Sequence, residues 1–201
     1  MPINKDFSKT LQTWLSDNKT KTVGDMLSVL GDKSFAFIFL VLMIIPATPL
    51  PTGGITHVFE LIVALIALQL VIGRNEIWLP QKLRRVSLGK NMQQKALPFL
   101  MRRIQFAEKY SRPRLAKTLE TRWFKSQLGL FVLLFTASAF FAPPFSGLDT
   151  LPSLGVVFIA IGIILSDALI IGAGYVIGVT GVALALTLGA GLVTSLLHFV
   201  K

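Results

Sequence analysis

The sequence predicts an all-α integral membrane protein made of two related halves. Each half has a Pro/Gly-broken, re-entrant helix and a transmembrane helix, and a glycine-rich C-terminal membrane segment follows. Three observations carry this. The 201 residues are 53% hydrophobic and 15% charged, far from a soluble globule. Most of their charge falls in two stretches, with apolar blocks between and after them. A proline- and glycine-rich break occurs twice, 93 residues apart.

The charge distribution sets the partner class. Residues 1–34 hold five Lys and four Asp, and residues 74–125 hold fourteen Lys or Arg against three Glu. A basic block set between apolar blocks fits a cytoplasmic loop under the positive-inside rule, so the net charge of +10 does not point to nucleic acid. No nucleic-acid partner is expected. The expected partners are membrane lipids, with anionic headgroups at the basic linker. Cysteine is absent, which removes disulfides and thiolate chemistry.

The chain reads as one membrane domain over 1–201. Residues 1–33 form an amphipathic region, because Phe7, Leu11, Trp14 and Leu15, then Val23, Met26, Leu27 and Leu30, recur at helical spacing. Thr22 and Asp25 make a capping start. Apolar runs follow at about 34–47, 55–73, 127–142, 150–166 and 168–199. A spanning helix needs about 20 residues, so 34–47 and 127–142, each running into a break, read as half-helices. Between them Ile77, Trp78, Leu79 and Pro80 suit a chain leaving the membrane at headgroup level. Leu97, Leu100, Met101, Ile104 and Ala107 form the apolar stripe of an interfacial helix, with Arg102, Arg103 and Lys109 on its other faces.

A gapless shift of 93 residues lays 35–75 on 128–168. It pairs Pro51 with Pro144, Gly54 with Gly147, Leu61 with Leu154, Val63 with Val156 and Ala67 with Ala160. Broken backbone at membrane depth survives only where protein or a water-filled cavity covers it, and paired breaks mark transporter sites. Pro51, Gly53, Gly54, Thr56, Pro144, Ser146 and Gly147 therefore shape the expected substrate or ion pathway. One crossing plus a re-entrant hairpin per half would invert the repeats, and two crossings would leave them parallel.

Four ionisable residues stand out. Glu60 is the acid within the first half's apolar stretch, and a charge at mid-membrane costs about 2.5 to 3.5 kcal/mol. His57, one turn earlier, adds an imidazole that with Glu60 could relay or bind a proton or cation. Both could equally sit at a polar mouth. Asp167 reads as a coupling acid or as a turn between helices, and Asp149 as part of the pathway or as a cap on the helix after it. Gln69 reads as bundle glue. Gly174, Gly178, Gly181, Ala185 and Gly189 put small residues at close-packing spacing, for contact within one chain or for a homodimer through these faces.

Enzyme chemistry finds no motif: there is no HExxH, no GxSxG and no phosphate loop, and no cofactor or metal site is expected. No secretory signal precedes the first apolar run, so the chain is expected to be retained whole.

The runs TVGDMLSVLGD, PATPLPTGG, ALQLVIGRNEIWLP and LPSLGVVFIAIGIILSD resemble the ExoD family over residues 22–180. The resemblance implies a bacterial inner-membrane, multi-pass protein linked to exopolysaccharide synthesis and alkali tolerance. Ser166 and Ala168 stand where an acid and a glycine often flank the position of Asp167, which weakens a coupling role carried over to it. From the breaks and the buried charges the expected activity is an ion- or proton-coupled transporter or channel-like protein. The competing reading is a non-transporting accessory or regulatory protein of the polysaccharide machinery.

Overall fold

The computed structural model describes residues 7–17, 21–49, 54–112, 121–143 and 146–199, with side chains as far as 188. Its regular elements among these residues are helices. Pro51, Gly53 and Pro144 lie outside them, as do the surroundings of Gly189.

Helix α1 (Phe7–Ser16) buries Phe7 and Leu11, as its spacing requires. The Ser8 hydroxyl donates to Glu108 Oε2 at 2.6 Å, and the Phe7 and Phe37 rings lie 6.0 Å apart. In α2 (Val23–Leu30) the expected cap is present, because Thr22 Oγ1 accepts from the Asp25 amide and the Asp25 carboxylate accepts from the Thr22 amide. Helix α2 passes through a 3-10 turn (Gly31–Lys33) into α3 (Ser34–Met43), making one 21-residue apolar helix, Val23–Met43. The first apolar run is therefore longer than its hydropathy suggested, since Asp32 and Lys33 end the apolar pattern but not the helix.

Helix α4 (Ile55–Val71) precedes the basic stretch, which carries the single turn α5 (Gln81–Arg84) and the interfacial helix α6 (Leu97–Tyr110). A π-helical turn, Met92–Ala96, leads into α6, which buries Leu97, Leu100, Met101 and Ile104. Helix α7 (Arg122–Phe140) starts five residues ahead of its apolar run, so it too is longer than half-helix length. Helices α8 (Thr150–Leu165) and α9 (Ala168–Phe199) complete the chain. Val23–Met43, Arg122–Phe140 and Ala168–Leu188 are long and apolar enough to cross a membrane.

Four of these helices form a square: α3 and α7 each pack against both α4 and α8, which leaves α4 and α8 on a diagonal. Side-chain contacts fix the directions. At the start of α7, Ser126 Oγ donates to Val71 O (3.0 Å) and Arg122 Nη2 to Ile72 O (3.2 Å), closing the end of α4. At the start of α3, Lys33 Nζ donates to Ile164 O (2.6 Å), near the end of α8. Such donors satisfy the orphan carbonyls of a helix C-terminus. Helix α9 returns along α8, with Gly162 against Ile171 and Gly155 against Gly178. So α3, α7 and α9 run one way and α4 and α8 the other. Gly54 and Gly147, from the two Pro/Gly breaks, lie at one end of the bundle, opposite Lys33, Arg122 and Lys125.

Positions 93 apart repeatedly do the same thing. Lys33 and Ser126 bond Ile164 and Val71, which are also 93 apart. Gly54 and Gly147 hold φ of +90° and +70°, a left-handed conformation that costs glycine nothing, and their carbonyls accept from the amides of His57 and Thr150. Val63, Val156, Ala67 and Ala160 are all buried.

Candidate functional site

Beneath the first break, Thr56, Glu60, Val63, Ala67 and Leu70 form the inward stripe of α4, all buried at intervals of three or four residues. Glu60 is 0% exposed. His57 Nδ1 lies 2.9 Å from Glu60 Oε2, one turn along the helix, and the His57 ring meets Phe140 of α7 edge-on at 5.6 Å. The His57 side chain keeps 27% of its surface, so it stands at the mouth with the carboxylate behind it. The other oxygen, Glu60 Oε1, has no hydrogen-bond partner among the described residues. Leaving such a group unsatisfied costs about 1 to 3 kcal/mol, and more for a charge, so this position carries a standing penalty.

Ser153 repeats the pattern on the diagonal helix. It lies 93 residues after Glu60, is 0% exposed, and its hydroxyl likewise has no partner among the described residues. Thr136 on α7 is fully buried as well, and its hydroxyl donates to Val132 O. Sequence reasoning passed over Ser153 and Thr136, because a lone hydroxyl in an apolar helix usually bonds its own backbone. The 93-residue shift, which sets Ser153 on Glu60, was the signal that would have found Ser153.

Asp149 lies within electrostatic reach of Glu60. It occupies the cap position of α8, yet its carboxylate makes no capping bond. Ser146 shapes the second corner: its hydroxyl donates to Pro143 O at 2.7 Å and accepts from the Leu148 amide at 3.2 Å. The structure thus brings Gly54, Thr56, His57, Glu60, Ser146, Gly147 and Asp149 to one end.

Asp167 is at the other. The 16 residues of α8 hold it about 24 Å from Asp149. Its Oδ1 accepts from the Leu169 amide, capping α9, and its Oδ2 accepts from the Arg112 amide (3.0 Å) and the Ser111 hydroxyl (3.3 Å). Gln69 bonds the chain leaving its own helix, accepting from Trp78 N at 2.7 Å and donating to Trp78 O at 3.2 Å. Gly174, Gly178 and Gly181 face α8 or α7 within the chain, and Ala185 is half-buried. Among the described residues no three of His, Asp or Glu converge to hold a metal.

A buried carboxylate with a free oxygen, a histidine at its mouth and two interior hydroxyls can take up a proton or coordinate a cation. Comparison with known proteins gives a family model, Exopolysaccharide synthesis, ExoD, that matches residues 7–187. The chain is also similar to an uncharacterized Synechocystis sp. protein, slr1875. They are 29% identical over 164 residues, which is 80% of this chain and 74% of that protein. No solved structure matches it.

Proposed function

We infer the function from one premise: the chain belongs to the ExoD family, and with it to exopolysaccharide synthesis. Our reading is an inner-membrane, multi-pass protein that moves an ion or proton, serving polysaccharide production and alkali tolerance. Glu60 carries it. A fully buried carboxylate with an unpaired oxygen, set under a break in a membrane helix, is costly and marks an ion path.

Two related halves support the reading. The matched corners, the reciprocal end bonds and the buried pairs all keep one 93-residue offset. The halves run in the same direction, related by an axis along the helices. The basic end, with Arg112, Arg122 and Lys125, faces the cytoplasm by the positive-inside rule. From there α4, 17 residues long, rises about 25 Å, short of a hydrocarbon core about 30 Å thick. Each half then runs out and back as a helix pair, α3 with α4 and α7 with α8, whose recessed corner is reached by water from the far side.

Single cysteines at Thr48 and Ser146, both exposed, test the directions. A membrane-impermeant maleimide is expected to reach both from the same side. Labelling from opposite sides means inverted halves and overturns the parallel arrangement.

For activity, Glu60→Gln in proteoliposomes is expected to lower ion or proton flux at least tenfold with helix content and Tm unchanged. Flux that persists in this variant takes Glu60 off the ion path. The accessory reading has its own observation. The outer face of α6 exposes Phe99, Phe106 and Tyr110 beside Arg102 and Arg103, a surface suited to anionic lipid. Wild-type protein without flux of any tested ion favours it.

A further inference from the structure

Register places the two unpaired oxygens in one layer. Ser126 lies beside Val71 and Phe140 beside His57, so the part of α7 level with Glu60 is residues 136–137. Gly155 packs on Gly178, and Gly178 on Phe135, so Ser153 reaches the same level on α8. Helix α3 contributes Met43, 93 residues before Thr136 and also fully buried. The layer is thus two matched pairs, Glu60 with Ser153 and Met43 with Thr136. The first half supplies a carboxylate and a thioether, the second two hydroxyls.

We propose that Glu60, Ser153 and Thr136 form the inner coordination site of a single monovalent alkali-metal cation. This rests on the reading of the bundle interior as an ion path and names the ion class. A proton on Glu60 Oε1 would remove the charge but create a donor with no acceptor, and it would leave the Ser153 hydroxyl unpaired. An anion would meet the Glu60 charge with no cationic side chain in the layer. Calcium takes six to eight oxygens, often from several carboxylates, and magnesium keeps most of its water. One carboxylate with hydroxyl oxygens from two further helices balances one positive charge. His57 Nδ1 engages Oε2 at 2.9 Å, which leaves the buried Oε1 as the oxygen open to a cation. Asp149, at the corner above, adds a negative potential that draws a cation to the entrance.

Titration calorimetry on the full chain, purified in detergent in choline chloride buffer, tests this. NaCl or KCl is expected to give a one-site isotherm and a rise in Tm, with choline chloride giving neither. Glu60→Gln is expected to abolish the binding heat. Ser153→Ala, which removes an unpaired hydroxyl and leaves packing intact, is expected to weaken binding at least tenfold at unchanged Tm in choline. Wild-type protein that binds neither Na+ nor K+ overturns the proposal, as does Ser153→Ala that binds like wild type. Neither result touches the transport reading, which proton flux would still support. Cation binding without flux leaves this site standing and overturns transport.

Discussion

Replacing Gly155 by valine is expected to keep α8 and α9 apart and to leave little folded protein. A Cβ at this position would lie 2.6 Å from Gly178 Cα, 2.8 Å from its amide nitrogen and 3.0 Å from Gly174 O. All three are backbone atoms, so no rotamer change relieves the contact and the helices themselves must separate. Overpacking a core costs about 1 to 3 kcal/mol when side chains can adjust. Here they cannot, so a loss of about 3 kcal/mol or more is expected, read as a fall in Tm and in the monodisperse fraction in detergent. Gly172→Val is the control, because a Cβ there meets nothing within 4 Å. If Gly155→Val melts like Gly172→Val, helix contact through bare backbone is not what holds α8 to α9.

Asp167→Ala is expected to be the most damaging change at the basic end. The residue is 4% exposed and ties the start of α9 to the chain following α6. Removing an N-cap costs about 1 kcal/mol, and stranding the Arg112 amide adds about 1 to 3 kcal/mol. The expected signature is a lower Tm with faster hydrogen exchange at Arg112 and Leu169. Asp167→Asn keeps a side-chain oxygen and should fall between. It should also keep any flux the wild type has, because the residue stands a full helix length from Glu60. Flux lost in Asp167→Asn at wild-type stability would return this residue to the ion path.

What could be read from the sequence was whatever depends on neighbours along the chain. The Thr22–Asp25 cap is a local pattern and is present. Glu60 and His57 fall on one helix face because three residues separate them. Helix ends were harder. Arg122 and Ser126 look like linker residues by polarity, yet they are helical, since their side chains reach carbonyls 50 and 55 residues away. Asp167 was ambiguous for the same reason: its partners Ser111 and Arg112 precede it by more than 50 residues. Ser153 and Thr136 carry no signal by themselves. They gain one only when the other half of the molecule stands opposite.

The crossed bonds at the basic end have a consequence for biosynthesis. When the first half leaves the ribosome, the carbonyls of Val71 and Ile72 have no donors, for Arg122 and Ser126 are not yet made. Lys33 must likewise wait for Ile164, 131 residues downstream. The ends of α4 and α8 are therefore closed only once both stretches of the chain have been made.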